Sequence, residues 1–217
     1  MRSMISSSAR TGKIAAPFLV LALTIGILVE SAAALALDPQ ANVRGFYDTL
    51  LNTMKSGRSL GQSGRYARLV PVVDRVFDVP SMTRLAIGST WASLPPAQQQ
   101  QLTEAFRHYI AATYADRFDS YSGEQLHVTG ERPYNADVIV QTKIVKSDGE
   151  ATTLNYLMRQ NQGSWQISDV YLDGTISQLA VQRSEFNSIL RRDGVDGLVM
   201  ALNRKVDLLT RNVAKAS

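Results

Sequence analysis

The chain has 217 residues, with 23 Lys and Arg against 19 Asp and Glu, and no cysteine. Without cysteine there is no disulfide, no thiol nucleophile and no thiolate metal site. A formal net charge of +4, with no block of like charge, leaves no electrostatic footprint for nucleic acid.

Arg2, Arg10 and Lys13 precede an uncharged run, Ile14 to Val29, which is followed by Glu30 and small residues ending in Ala34-Leu35-Ala36. A basic start, an apolar stretch and an A-x-A site describe a secretory signal peptide. The run contains Pro17 and is short for a bilayer span; an uncleaved anchor is the alternative. The expected organisation is a signal peptide over 1–36 and a single domain over 37–217. With no later apolar span, that domain is expected to be exported, soluble and held by its core alone.

Asp38-Pro39 reads as a helix start, a capping carboxylate followed by proline in the first turn. Val43, Phe46, Tyr47, Leu50, Leu51 and Met54 then share one face. The stretch 57–64 reads as a loop. Tyr66, Leu69, Val70, Val73 and Phe77 form a second helical stripe, with a break expected at Pro71. Asp78 caps a short helix bearing Met82, Leu85 and Ala86 that ends at Gly88. Pro95-Pro96 opens a long helix to about Tyr121, with Leu102, Phe106, Tyr109, Ile110, Thr113 and Phe118 on its apolar side.

From Gln125 the period changes to two. Strands are expected over 125–131, 137–146, 151–160 and 164–172, joined by turn chemistries at Pro133-Tyr134-Asn135, Ser147-Asp148-Gly149 and Asn161-Gln162-Gly163. Short connections make them antiparallel neighbours. Two closing helices are expected, over about 175–192 and 194–212, the first carrying Arg183 on the stripe of Ile176, Leu179, Phe186 and Leu190. Helices, a four-strand meander and helices again make an α+β domain.

Chemistry is scarce. His108 and His127 are the two histidines and lie on different elements; there is no H-x-x-x-H pair and no EF-hand spacing. Neither G-x-S-x-G nor a P-loop is present. One catalytic possibility remains: Asp169, buried in a curved sheet, as a base of raised pKa, with Tyr156 or Tyr171 as hydrogen-bond donor. The alternative places Asp169 in solvent or in an ion pair with a cation such as Arg183, and strand alternation leaves both faces open to it. Apolar supply is the stronger signal. Val138, Val140 and Ile144 alternate with Ile139 and Val145, and Leu154, Tyr156 and Met158 share a face. A solid core and an apolar cavity give the same periodicity.

Several segments carry a resemblance to a known family. They are "RLVPVVDRVFD" (68–78), Gly88, Trp91, the Pro-Ala-Gln opening at 96–98, Phe106, Thr113-Tyr114-Ala115, "YADRFDSYSGE" (114–124) and "TISQLAVQRSEF" (175–186). In order and spacing they resemble the MlaC family of periplasmic lipid-binding proteins over about residues 41–210. The wording looks closest to the hopanoid-associated HpnM branch. Two departures stand out: Gly174-Thr175-Ile176-Ser177 is one residue longer than the family's Gly-x-Ser, and Leu94-Pro95 replaces its serine cap.

The resemblance implies an NTF2-like curved antiparallel sheet of about four strands, wrapped by N- and C-terminal helices around an apolar cavity. It implies a carrier rather than an enzyme, needing no cofactor or metal. The cargo would be a membrane lipid, a hopanoid or a phospholipid. The partner would be a transporter complex of RND or ABC type that moves lipid between inner and outer membrane. Expected lining residues are Val70, Val73, Phe77, Met82, Leu85, Trp91, Phe106, Tyr109, Ile110, Val140, Leu154, Tyr156, Met158, Ile167 and Phe186, with Arg183 at a polar rim. A small NTF2-like isomerase or hydrolase using Asp169, and an assembly factor without ligand, are the competing readings.

Overall fold

A computed structural model describes residues 38–211. The expected signal peptide and its cleavage point lie outside the described residues. Helix α1, Pro39–Lys55, starts as its sequence dictates: Gln40 N donates to Asp38 Oδ1 at 2.8 Å, with Pro39 in the first turn. Its apolar stripe, Val43, Phe46, Tyr47, Leu50 and Met54, is buried.

Helix α2, Gly57–Val76, includes the stretch expected to be a loop. Only Gly61 departs from helical geometry there (φ 60°, ψ −178°), a conformation that glycine adopts without a Cβ penalty. Gly57 is needed for another reason: a Cβ on it would lie 2.3 Å from the Asp119 carbonyl oxygen, so no side chain fits. The buried Arg65 ties the same two segments, donating to Ala115 O at 3.1 Å and Gly57 O at 3.2 Å. The break expected at Pro71 does not occur. Pro71 is on the exposed side, where water can take the carbonyl that it leaves without a partner.

Helix α3, Val79–Ile87, is capped by Asp78 through Ser81 N at 3.2 Å and stopped by Gly88 at φ 72°. A 3₁₀ segment, Gly88–Ser93, leads to α4, Pro96–Arg117. No side chain caps the first turn of α4; the Gln99 amide ties the helix back to the preceding segment, donating to Trp91 O at 3.0 Å and Leu94 O at 3.2 Å. The helix stops one turn before Tyr121, at Phe118.

The sheet follows as β1 (Gln125–Tyr134), β2 (Asp137–Val145), β3 (Ala151–Asn161), β4 (Ser164–Leu172) and a two-residue β5 (Ile176–Ser177). The strands are ordered β1-β2-β3-β4-β5 and every pair is antiparallel. At the β3–β4 hairpin Gln162 (φ 49°) and Gly163 (φ 82°) make the two-residue turn with both angles positive that matches strand twist. One bulge shifts β1 at Val128/Gly130 and another shifts β4 at Ser168, opposite Leu157/Met158. Such bulges bend a sheet. β5 was not expected: Ile176 pairs with Leu172 and Ser177 with Tyr171, so α5 begins only at Gln178. Helix α5, Gln178–Thr210, is interrupted at Gly194 (φ 68°, ψ −168°), close to the boundary expected between two closing helices.

The helices pack on one face of the sheet. Phe46 meets Phe77, Tyr114 and Tyr156 with ring centroids 5.5, 5.2 and 6.3 Å apart, all edge-on. Phe106 and Phe186 join α4 to α5 at 5.2 Å. Phe77 also bridges to Ile167, and Asp78 N donates to Ile167 O at 2.9 Å, fixing the α2–α3 corner against β4. The result is the expected α+β architecture. Among the described residues no helix is long and apolar enough to cross a membrane.

Candidate functional site

The core does not fill the end of the sheet where β2 turns into β3. A pocket of about 380 Å³ remains there. Its floor is one face of the sheet: Leu126, Ile144, Thr152, Leu154, Val170 and Leu172, which share that face through period-two alternation and antiparallel register. Its roof is α4, through Phe106, Tyr109, Ile110, Thr113 and Tyr114, residues spaced three or four apart. Met54, Phe77, Met82, Leu179 and Gln182 close the sides. Arg117, Phe118, Asp119, Ser120, Glu124 and Lys146 mark the polar part of the lining, at the end of α4 and the adjoining loops.

Of the residues expected to line a cavity, Phe77, Met82, Phe106, Tyr109, Ile110 and Leu154 do line this pocket. Val73, Val140, Tyr156, Met158, Ile167 and Phe186 do not; they are at most 1% exposed, interlocked in the solid part of the core. Val70 packs half-buried against that core, and Trp91 sits half-buried in the 3₁₀ segment, away from the pocket. Leu85 turns outward from α3 and is 39% exposed.

Arg183 is not at the rim. It is exposed, and its guanidinium lies over the backbone of Gly88, where a Cβ would meet Nη2 at 3.3 Å. That is the C-terminal end of α3, which favours a cation. The next turn of α5 adds Asn187 Nδ2 to Ala86 O at 3.3 Å. The arginine therefore docks α5 on α3. Gln178 and Gln182 are the polar residues that α5 gives to the pocket, and Gln182 Oε1 is buried without a hydrogen-bond partner among the described residues.

Asp169 has a definite task. Its Oδ1 accepts from Val170 N at 2.7 Å and Leu179 N at 3.0 Å, and its Oδ2 from Ser177 Oγ at 2.6 Å. Ser177 Oγ in turn accepts from Ala180 N at 2.9 Å. Two side chains thus satisfy the first turn of α5, and a negative charge sits at its positive end. A carboxylate with three donors spread over both oxygens is a cap, poorly placed to take a proton from a substrate. The expected ion pair of Asp169 with Arg183 does not form among the described residues.

Tyr114 of the pocket roof belongs to a group of tyrosines with Tyr47 and Tyr156. Tyr47 Oη and Thr142 Oγ1 are 2.6 Å apart, and the Thr142 hydroxyl continues to Leu154 O. Burial pushes the Tyr47 phenol up to about 12, partly opposed by the Thr142 hydrogen bond. Burial likewise raises Tyr114 and Tyr156. All three phenols are neutral at ordinary pH. Among the described residues no group of three or more His, Asp or Glu is placed to hold a metal ion.

The likeness to known proteins follows the same lines. The family model described as MlaC protein matches residues 44–204, most of the chain. The chain belongs to the MlaC protein family. A solved phospholipid-binding protein from Ralstonia solanacearum, determined in complex with a phospholipid, superposes with a TM-score of 0.68 at 25% identity. The match covers 80% of this chain and 99% of that one. The MlaC match takes in α1 from Arg44, α2 to α4, the whole sheet and α5 as far as Arg204, and with them every residue of the pocket wall.

Proposed function

We propose that this MlaC-family chain is a soluble periplasmic carrier that takes up the tails of a membrane lipid and hands the lipid between inner and outer membrane. It acts by binding and release, without a chemical step. The observation that carries this reading is the pocket: a largely apolar floor and roof, two methionines at its sides, and charged groups at the end of α4 and the adjoining loops. Each buried methylene is worth about 0.8 kcal/mol, so a single chain of a dozen carbons represents about 10 kcal/mol that water would otherwise oppose. A volume of about 380 Å³ is at the low end of the range for ligand sites, and Met54 and Met82 are side chains that re-pack readily as tails enter.

The phospholipid of the Ralstonia relative supports a phospholipid cargo, and the wording of 68–78, 114–124 and 175–186 supports a hopanoid. Hand-over would be to a membrane transporter of ABC type in the first case and RND type in the second. The test is native mass spectrometry of protein purified from its own periplasm, followed by lipid identification. Recovery of one bound lipid per chain is the expected result. A chain that is repeatedly lipid-free, and that also takes none from vesicles, refutes the carrier reading.

A further inference from the structure

Two opposite charges on the pocket lining form no ion pair among the described residues. Arg117, the last residue of α4, and Glu124, just ahead of β1, both line the pocket. Among the described residues neither takes part in an ion pair, with each other or with a third group. The remaining cation on the lining, Lys146, is already matched by Glu150 at 2.5 Å. Glu124 is fixed in place by Ser122 N, which donates to Oε2 at 2.6 Å and leaves Oε1 for another donor. Arg117 is close enough for its charge to oppose the burial-driven rise of the Tyr114 phenol, which is itself part of the pocket roof.

We propose that this end of the pocket receives a zwitterionic phosphoester headgroup, with Arg117 taking the phosphate and Glu124 the ammonium. The assignment rests on the carrier reading and specifies its cargo. A guanidinium offers a planar fork that matches two phosphate oxygens, and a carboxylate oxygen is the natural acceptor for an ammonium. The two side chains are opposite in charge and unpaired with each other, and the phosphate and ammonium of an aminoalkyl phosphate carry the complementary charges. A headgroup with a phosphate and no ammonium satisfies Arg117 and leaves Glu124 as a repelling charge. A hopanoid without phosphate engages neither. Specificity would then come from the rim, and affinity from the apolar wall.

The experiment uses the full mature chain and soluble dihexanoyl lipids, titrated calorimetrically: the phosphatidylethanolamine, the phosphatidylglycerol and the uncharged diacylglycerol. Wild type should prefer the ethanolamine lipid over the glycerol lipid by about 1.5–5-fold, the range expected of a partly exposed charge contact. Arg117→Gln should weaken both phospholipids by a similar factor and leave diacylglycerol unchanged, and Arg117→Lys should recover part of the loss. Glu124→Gln should remove the preference without weakening the glycerol lipid. Both side chains are at the surface, and circular dichroism melts check that each variant folds.

Unchanged phospholipid binding by folded Arg117→Gln overturns the assignment, as does an equal loss for diacylglycerol. Competition by inorganic phosphate as strong as that by the lipid would reassign the site to free phosphate and also overturn it. If wild type binds none of the three lipids, the carrier reading itself fails, a result distinct from binding that ignores the rim.

Discussion

Asp169→Ala is the sharpest test of what holds the sheet to its closing helix. The substitution removes an acceptor from Ser177 Oγ at 2.6 Å and from Leu179 N at 3.0 Å, in a place where Asp169 and Leu179 are both buried. A hydrogen bond to a charged group contributes about 1.5–3 kcal/mol, and an N-terminal cap about 1 kcal/mol. These contributions overlap, because Ser177 still caps Ala180 N, so the expected loss is about 3–4 kcal/mol. For a domain of this size that lowers Tm by about 6–16 °C. Asp169→Asn keeps one acceptor oxygen for Leu179 N, and its amide can donate to Ser177 Oγ; about 1–2 kcal/mol is expected. Thermal and urea unfolding followed by circular dichroism measure both. A melt of Asp169→Ala within about 2 °C of wild type would show that the carboxylate does not cap α5. Loss of a catalytic activity in a stable Asp169→Asn protein would restore the enzyme reading.

Three further expectations follow from the geometry. Thr113→Trp, on the pocket roof, should fill the space above Leu154 and cut lipid uptake from vesicles at least tenfold with little change in Tm; normal uptake would mean that the tails go elsewhere. Tyr47 has a folded pKa of about 12 against 10 for the free phenol, so the folded state holds its proton more tightly. Its contribution is intact below pH 10 and lost as pH rises from 10 through 12, to the extent of about 2–3 kcal/mol. Tyr47→Phe should flatten that part of the alkaline unfolding curve, and an unchanged curve would contradict the assignment. Gly88→Ala places a Cβ at φ 72° and 3.3 Å from the Arg183 guanidinium, which should cost about 1–2 kcal/mol. A neutral effect in urea unfolding would argue against the docking of Arg183 on α3.

Much of the architecture was legible because local chemistry and tertiary structure agree. Asp38-Pro39, Asp78 and Gly88 mark helix ends through interactions within a few residues, and Gln162-Gly163 permits little but a tight turn. The misreadings fall where the deciding partner is remote. Glycines at 57, 61 and 64 suggest a loop, yet Gly57 is a contact point with Asp119 and only Gly61 leaves the helix. Pro71 has the wrong chemistry for a helix interior, and its exposed position decides the matter.

The pocket was half visible for a similar reason. Alternation assigns Tyr156, Met158 and Leu154 to one face, but cannot tell which end of that face is filled by Phe46 and its neighbours. Met158 and Tyr156 are under the aromatic cluster, whereas Leu154 is beyond it. Gln182 and Arg117 went unnoticed because a polar residue on a helix reads as solvated unless the opposing wall is known. Arg183 does share the stripe of Leu179 and Phe186 in α5, but its long side chain reaches past that stripe to Gly88 at the end of α3, a partner that counting along one helix cannot reveal.

An open sheet has two borders where another chain could add a strand. Here both are blunted. β1 carries Pro133, a bulge at Val128/Gly130 and the charged pair Glu131 and Arg132; β5, at the other border, is two residues long. Neither offers a long row of free amides and carbonyls, so strand addition is disfavoured. A carrier of the proposed kind, meeting membranes and other chains repeatedly with an apolar interior partly open, would be guarded against sticking by this backbone. What it presents to a partner is helix surface and pocket rim, the parts that can let go again.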